Sequence, residues 1–203
     1  MKKTKKVLIL GLCAVLLVAA SVLGTMAYLT DTAEVKNTFT VGNVAITLDE
    51  AKVDVNGVEV TPATRVAENE YKLMPGHEYS KDPTIHVDPK SEDCYLFVKV
   101  DNAIAAIEGT EKIADQMANN GWKEVAGETG VYVYTGNKDA NAAKEVTKNS
   151  SVVVFEKFAI KGEGLDGTEL AKYDKKNIVI TAYAVQADGF NSNDIATIWA
   201  AAK

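Results

Sequence analysis

The chain has two histidines, and both lie in one stretch, HEYSKDPTIH, which runs from His77 to His86. Histidine followed by glutamate opens the His-Glu-x-x-His pattern of many zinc peptidases. On a helix that spacing puts two imidazoles and a general base on one face. Here the pattern stops at Glu78. Position 81 is lysine, Pro75-Gly76 precedes the stretch and Pro83 interrupts it, so it does not read as a helix. A metal site would have to be assembled from His77, Glu78 and His86 with a carboxylate from elsewhere. The plainer reading, which the spacing favours, leaves His77 in a loop. His86 then sits on a strand, facing away from Ile85 and Val87 and toward solvent.

Other reactive residues give little. Cys13 lies in an apolar leader, so its removal leaves Cys94 as the only thiol and permits no disulfide within the chain. Cys94 falls in CYLFVKV, in phase with Leu96, Val98 and Val100, and reads as a buried core thiol. An intermolecular disulfide or a metal ligand is the competing reading. Glycine-rich phosphate loops, Cys-x-x-Cys pairs and the Gly-x-Ser-x-Gly elbow of serine hydrolases are missing, and nothing in the spacing points to a Ser-His-Asp triad. No catalytic residue and no cofactor is expected. Asp166, Asp188 and Asp194 sit in acidic loops. They read as turn formers, because they lack the spaced ligands of a calcium loop. Tyr132, Tyr134, Phe155 and Tyr183 alternate on strands, which sheet packing explains better than a sugar-binding platform.

The elements that would carry these residues are mostly strands. Val44, Ile46 and Leu48 alternate with Ala45 and Thr47. In VDVNGVEV two alternating runs flank Asn56-Gly57, which predicts a hairpin closed by a two-residue turn with positive φ at both positions. Further strands are expected at Thr84–Val87, Cys94–Val100, Val131–Thr135, Val152–Ile160 and Asn177–Ala187. A helical insertion is expected at about 103–120, with Thr110 as its cap, Ile113, Ala114 and Met117 on one face, and Gly121 at its end. The segment GNKDANAAKEVTKNS reads as exposed loop. At the end, Ile195, Ile198, Trp199 and Ala202 share one face of a short helix. This pattern predicts a mostly β fold: a two-sheet antiparallel sandwich, jelly-roll-like, with a helical insertion and a short C-terminal helix. An immunoglobulin-like sandwich is the second choice.

The first 27 residues read as a signal peptide. MKKTKK is a basic tip, Val7 to Leu23 is apolar, and Thr25 and Ala27 supply small residues before a cut at Tyr28. An uncleaved anchor is the competing reading, since the apolar run is about as long as a membrane span requires. Residues 28–40 read as an extended arm, and 41–203 as a single sandwich domain. The formal net charge is −6, and removing the four leader lysines leaves a body near −10. Such a body repels phosphates, which argues against nucleic acid as a partner and limits membrane contact to the leader.

The junction GTMAYLTDTAEVKNTFTVGNVAITL resembles that of exported proteins of the TasA/camelysin group, which carry a SipW-type signal peptide. The matching residues are Gly24, Thr25, Ala27, Tyr28, Asp31, Asn37, Thr38, Phe39 and Gly42. The stretches LMPG and CYLFVKVDN fit as well, and ITAYAVQADGF with DIATIW is similar to the C-terminus of clostridial-type members. The resemblance spans most of the chain, and the N-terminal motif is its specific part. It implies a secreted surface or biofilm-matrix protein with a jelly-roll body, handled by a signal peptidase during export. It also implies self-association into fibres, or association with other matrix proteins, through an N-terminal arm that completes the sheet of the next subunit. Tyr28, Leu29, Val35 and Phe39 are the candidate anchors of that arm. A monomeric surface or adhesion module would share the fold. Camelysin-like members carry a metallo-endopeptidase label, which His77, Glu78 and His86 would have to support.

Overall fold

The computed structural model describes residues 43–203. Ile46–Ala51 (β1), Arg65–Val66 (β2), Thr84–Val87 (β4) and Ser151–Val153 (β9) form one antiparallel sheet in the order β2-β1-β4-β9. The second sheet contains Cys94–Asn102 (β5), Trp122–Glu124 (β6), Val131–Tyr134 (β7) and Ile178–Gln186 (β11), in the order β11-β5-β7-β6. Glu145–Val146 (β8) pairs with the start of β5. Glu78–Ser80 (β3) and Lys157–Ala159 (β10) form a separate two-stranded ribbon. The helices are Ile113–Asn119 (α1), Gly167–Ala171 (α2) and Ile195–Ala202 (α3), with a 3-10 turn at Ala105–Ile107. The fold is thus mostly β, a two-sheet antiparallel sandwich with a helical insertion and a short C-terminal helix.

Alternation along the strands explains the layers. Ile85 and Val87 from β4, Val152 from β9, Cys94, Leu96 and Val98 from β5, and Trp122 from β6 share one core between the sheets. Val44, just before β1, and Ile46 and Leu48 of β1 pack against it. The opposite phase of β5, Tyr95 and Phe97, joins Val131, Val133 and Val185 in a second cluster beneath Ile198 and Trp199 of α3. The five-residue run Cys94–Val98 is therefore buried throughout. Trp122 ties the sheets together, because its indole Nε1 donates to the Val153 carbonyl of the opposite sheet at 2.9 Å.

The helical insertion falls where expected, but Thr110 does not cap α1. The Glu108 carboxylate accepts from the Ile113 N–H at 3.2 Å instead. Gly121 ends the helix with φ of +85°, and an added Cβ there would sit 2.5 Å from the Gly136 backbone. Gln116 of α1 donates to the Lys157 carbonyl and accepts from the Glu156 and Lys157 amides. That docking holds the bend at Val154–Glu156, so the single strand expected over Val152–Ile160 is two strands belonging to different sheets.

Three further expectations are corrected. The Asn56-Gly57 hairpin is closed by a longer loop. Gly57 N–H donates to the Asp54 carbonyl and Asp54 N–H to the Val58 carbonyl, so Val53 faces Glu59 and not Val60. Gly57 alone takes positive φ, at +77°. This is a turn followed by a glycine bulge, and the Asp54 carboxylate accepts from the Asn56 and Val58 amides. The segment expected as exposed loop at 136–150 contains β8, where Val146 is buried in the core between the sheets, and Ala143 is buried in the second cluster. The loop expected around Asp166 starts α2, whose first amides are accepted by the Asp166 side chain.

Candidate functional site

The two histidines take separate partners. His77 Nε2 bonds to the Asn56 carbonyl at 2.9 Å and its ring packs edge-on against Tyr79. The histidine thus seats the Asp54–Val58 turn on β3. Glu78 points away and pairs with Lys157 at 3.0 Å. His86 lies on the outer face of β4, as its phase with Ile85 and Val87 required. It is held there on both sides, by Ser151 of β9 at 2.7 Å from Nδ1 and by Asp49 of β1 at 3.0 Å from Nε2. Among the described residues, no group of three His, Cys, Asp or Glu side chains is placed to hold a metal ion. The structure therefore does not assemble His77, Glu78 and His86 into one site.

The Ser151–His86–Asp49 run was not legible in the sequence, because the three residues come from three strands. A carboxylate only accepts, so His86 Nε2–H faces Asp49, and in the neutral ring Nδ1 accepts from the Ser151 hydroxyl. That polarity matches a serine activated by a base. Asp49 is also paired with Arg65, which bridges it to Asp82. Burial alone would raise the Asp49 carboxyl; hydrogen bonds from Arg65 and His86 outweigh it and hold the group below the ordinary aspartate range. Attack by a serine further requires donors aimed at the developing oxyanion. Ser151 sits on the outer face of its sheet, on a strand separated from β1 and the groove by β4.

That groove is a concave feature of the described residues. It measures about 1100 Å³ and runs along one side of the sandwich, between Leu48–Glu50 of β1 and Ile178–Ile180 of β11. Phe158 and Ile104 line it from the core, and Leu170 and Tyr173 line it near α2. One wall is the edge strand β11, and the other is β1 up to the point where β2 pairs with it at Glu50. The Val100 N–H bonds to the Gly130 carbonyl on the β7 side, so Asp101, Lys99 and Phe97 turn their backbone groups toward Val179, Thr181 and Tyr183. The N–H and C=O groups of Ile178, Ile180, Ala182, Ala184 and Gln186 consequently point outward. On β1 the Ala45 carbonyl bonds to Asp88 of the β4 side, so Ile46 and Leu48 point outward too. Among the described residues, no strand pairs with the outer side of β11, while on β1 only Ile46 and Leu48 are open, because Glu50 and Ala51 pair with Val66 and Arg65 of β2.

One wall of the groove holds a buried ion pair that sequence reasoning missed. Glu50 and Lys81 are 3% and 8% exposed, and Lys81 Nζ contacts Glu50 Oε2. Asn69 Nδ2 donates to Glu50 Oε1 at 2.9 Å and to the Ala51 carbonyl at 2.8 Å, while its Oδ1 accepts from the Val53 N–H at 3.0 Å. The Tyr71 ring lies 5.8 Å from Lys81 Nζ. Burial, and then the charge of Glu50, push the Tyr71 phenol far above its ordinary range. No sequence spacing announces this cluster, whose members come from β1, a loop and the end of β3.

The proposed cleavage residues Thr25, Ala27 and Tyr28, and the arm anchors Tyr28, Leu29, Val35 and Phe39, lie outside the described residues. No family model, curated protein or solved structure matches the chain.

Proposed function

We propose that this chain is an exported structural subunit of the cell surface or extracellular matrix, which assembles by donating residues 28–40 to the groove of another copy. The observation that carries this reading is the groove itself, an open seam one wall of which is the unpaired edge of β11. A strand entering it would gain backbone hydrogen bonds from one edge while its alternate side chains meet Leu48, Ile180 and Phe158. The arm has suitable side chains in Tyr28, Leu29, Val35 and Phe39. The junction's resemblance to the TasA/camelysin group supports the same reading. Donation from one copy to the next does not close on itself, so it builds filaments.

The test is electron microscopy of the secreted protein with sequencing of its amino end. Filaments are expected from a chain that begins at Tyr28. Deleting residues 28–36 should abolish them while leaving the melting of the body unchanged. Filaments that persist after the deletion would exclude the arm.

A further inference from the structure

We propose that Lys81 and Asn69 react with each other to form an intramolecular isopeptide bond, with Glu50 as the proton carrier. Glu50 brings the two reacting side chains to one carboxylate. Lys81 supplies the nucleophile at Nζ. Asn69 supplies the acyl carbon and, in Nδ2, the leaving group. Both nitrogens sit on one carboxylate, Nζ on Oε2 and Nδ2 on Oε1 at 2.9 Å. Asn69 Oδ1, where negative charge develops, accepts from the Val53 N–H at 3.0 Å. A backbone donor aimed at that oxygen stabilises the tetrahedral intermediate. The site is largely shielded from water by β1, the Tyr71 ring and Phe158, which packs on Tyr71 at 5.1 Å. Holding two reactants together in this way replaces an encounter in solution with an intramolecular step.

The chemistry balances within the cluster. Nζ of the ammonium first gives a proton to Glu50, leaving a neutral amine and a neutral acid. The Nζ lone pair then bonds to Asn69 Cγ, and the carbonyl electron pair moves onto Oδ1. As that pair returns, the Cγ–Nδ2 bond breaks. Glu50 hands a proton to Nδ2 and takes one from Nζ. The products are a secondary amide joining the two side chains, a protonated Glu50 and one molecule of ammonia, which leaves through the groove. No oxidant or other reagent is consumed. The product also removes a buried ammonium–carboxylate pair, an arrangement that is expensive to desolvate. In a chain whose described part has a single buried cysteine, the amide provides a cross-link that needs no disulfide.

The test is the mass of the folded full chain, followed by trypsin digestion. The expected mass is lower than the sequence mass by one ammonia. The digest should contain residues 66–72 joined to residues 73–90, with no cut after Lys81. Glu50→Gln and, separately, Lys81→Arg should restore the full mass and give separate peptides ending at Lys72 and at residue 81. Wild-type protein that is folded by circular dichroism, has its full sequence mass and is cut after Lys81 would overturn the proposal, whatever the variants do. Loss of water with a link to the peptide containing Glu50 would overturn the assignment of Asn69.

Discussion

Replacing Ala182 with proline separates the two duties of β11. Ala182 is central in the set whose backbone points away from β5, so proline there removes no bond of the existing ladder. It removes one outward N–H and places ring carbons where a guest strand's carbonyl would approach. A ladder hydrogen bond contributes about 0.5–1.5 kcal/mol net, and the ring costs the guest one bond and strains the next. The loss is therefore about 1–3 kcal/mol, or about 5- to 150-fold in affinity. Thr181→Pro is the mirror experiment, because Thr181 is the residue that faces Lys99 across the ladder. It should lower the stability of the body by about 1–3 kcal/mol by leaving a ladder carbonyl without a donor. The assay is the critical concentration for filament formation, read by sedimentation, beside thermal melting of each variant. Ala182→Pro should raise the critical concentration and leave the melt unchanged. If it polymerises at the wild-type concentration with its ladder intact, the outward edge of β11 is not the acceptor.

Gly57→Ala should destabilise the body by about 2–5 kcal/mol in urea melts, combining about 1–2 for positive φ with about 1–3 for overpacking, because its Cβ would lie 2.7 Å from the Tyr79 backbone. Burial, reinforced by the charge of Asp93, pushes the Cys94 thiol up to about 11. It should resist alkylation at neutral pH in the folded protein and react once urea unfolds it. Asp49 binds its proton more weakly folded than unfolded, so its contribution is complete above the ordinary aspartate range and fades as the pH falls through its lowered folded value. Urea midpoints followed below about pH 4 should fall less steeply in Asp49→Asn than in wild type.

Alternation made the long strands legible, since Cys94, Leu96 and Val98 face one core and Tyr183 and Val185 the other. The helix ending at Gly121 and the apolar face of α3 were equally readable, because each depends on residues close together in the chain. What escaped were features decided by distant partners. Tyr79 is fully buried on a three-residue strand, too short to show a period, and is fixed by Phe158 stacked on it at 4.8 Å. The hairpin register went to the Asp54 carboxylate, which gathers two amides and favours the longer loop. The bend at Val154–Glu156 depends on Gln116, some 40 positions away. The Glu50–Lys81–Asn69 cluster and the Ser151–His86–Asp49 run lie beyond any local pattern, since each exists only after three separate segments meet.

The pairing of β5 with β11 joins residue 94 to residue 186. A ribosome delivers the amino end first, so β5 emerges long before the strand that completes it. Until then one flank of β5 has open backbone groups, and Phe97 and Tyr95 lack the helix that roofs them. Contacts so far apart in the chain form late. A product shortened before Ile178 would leave that flank of β5 open, an edge that invites pairing with other chains.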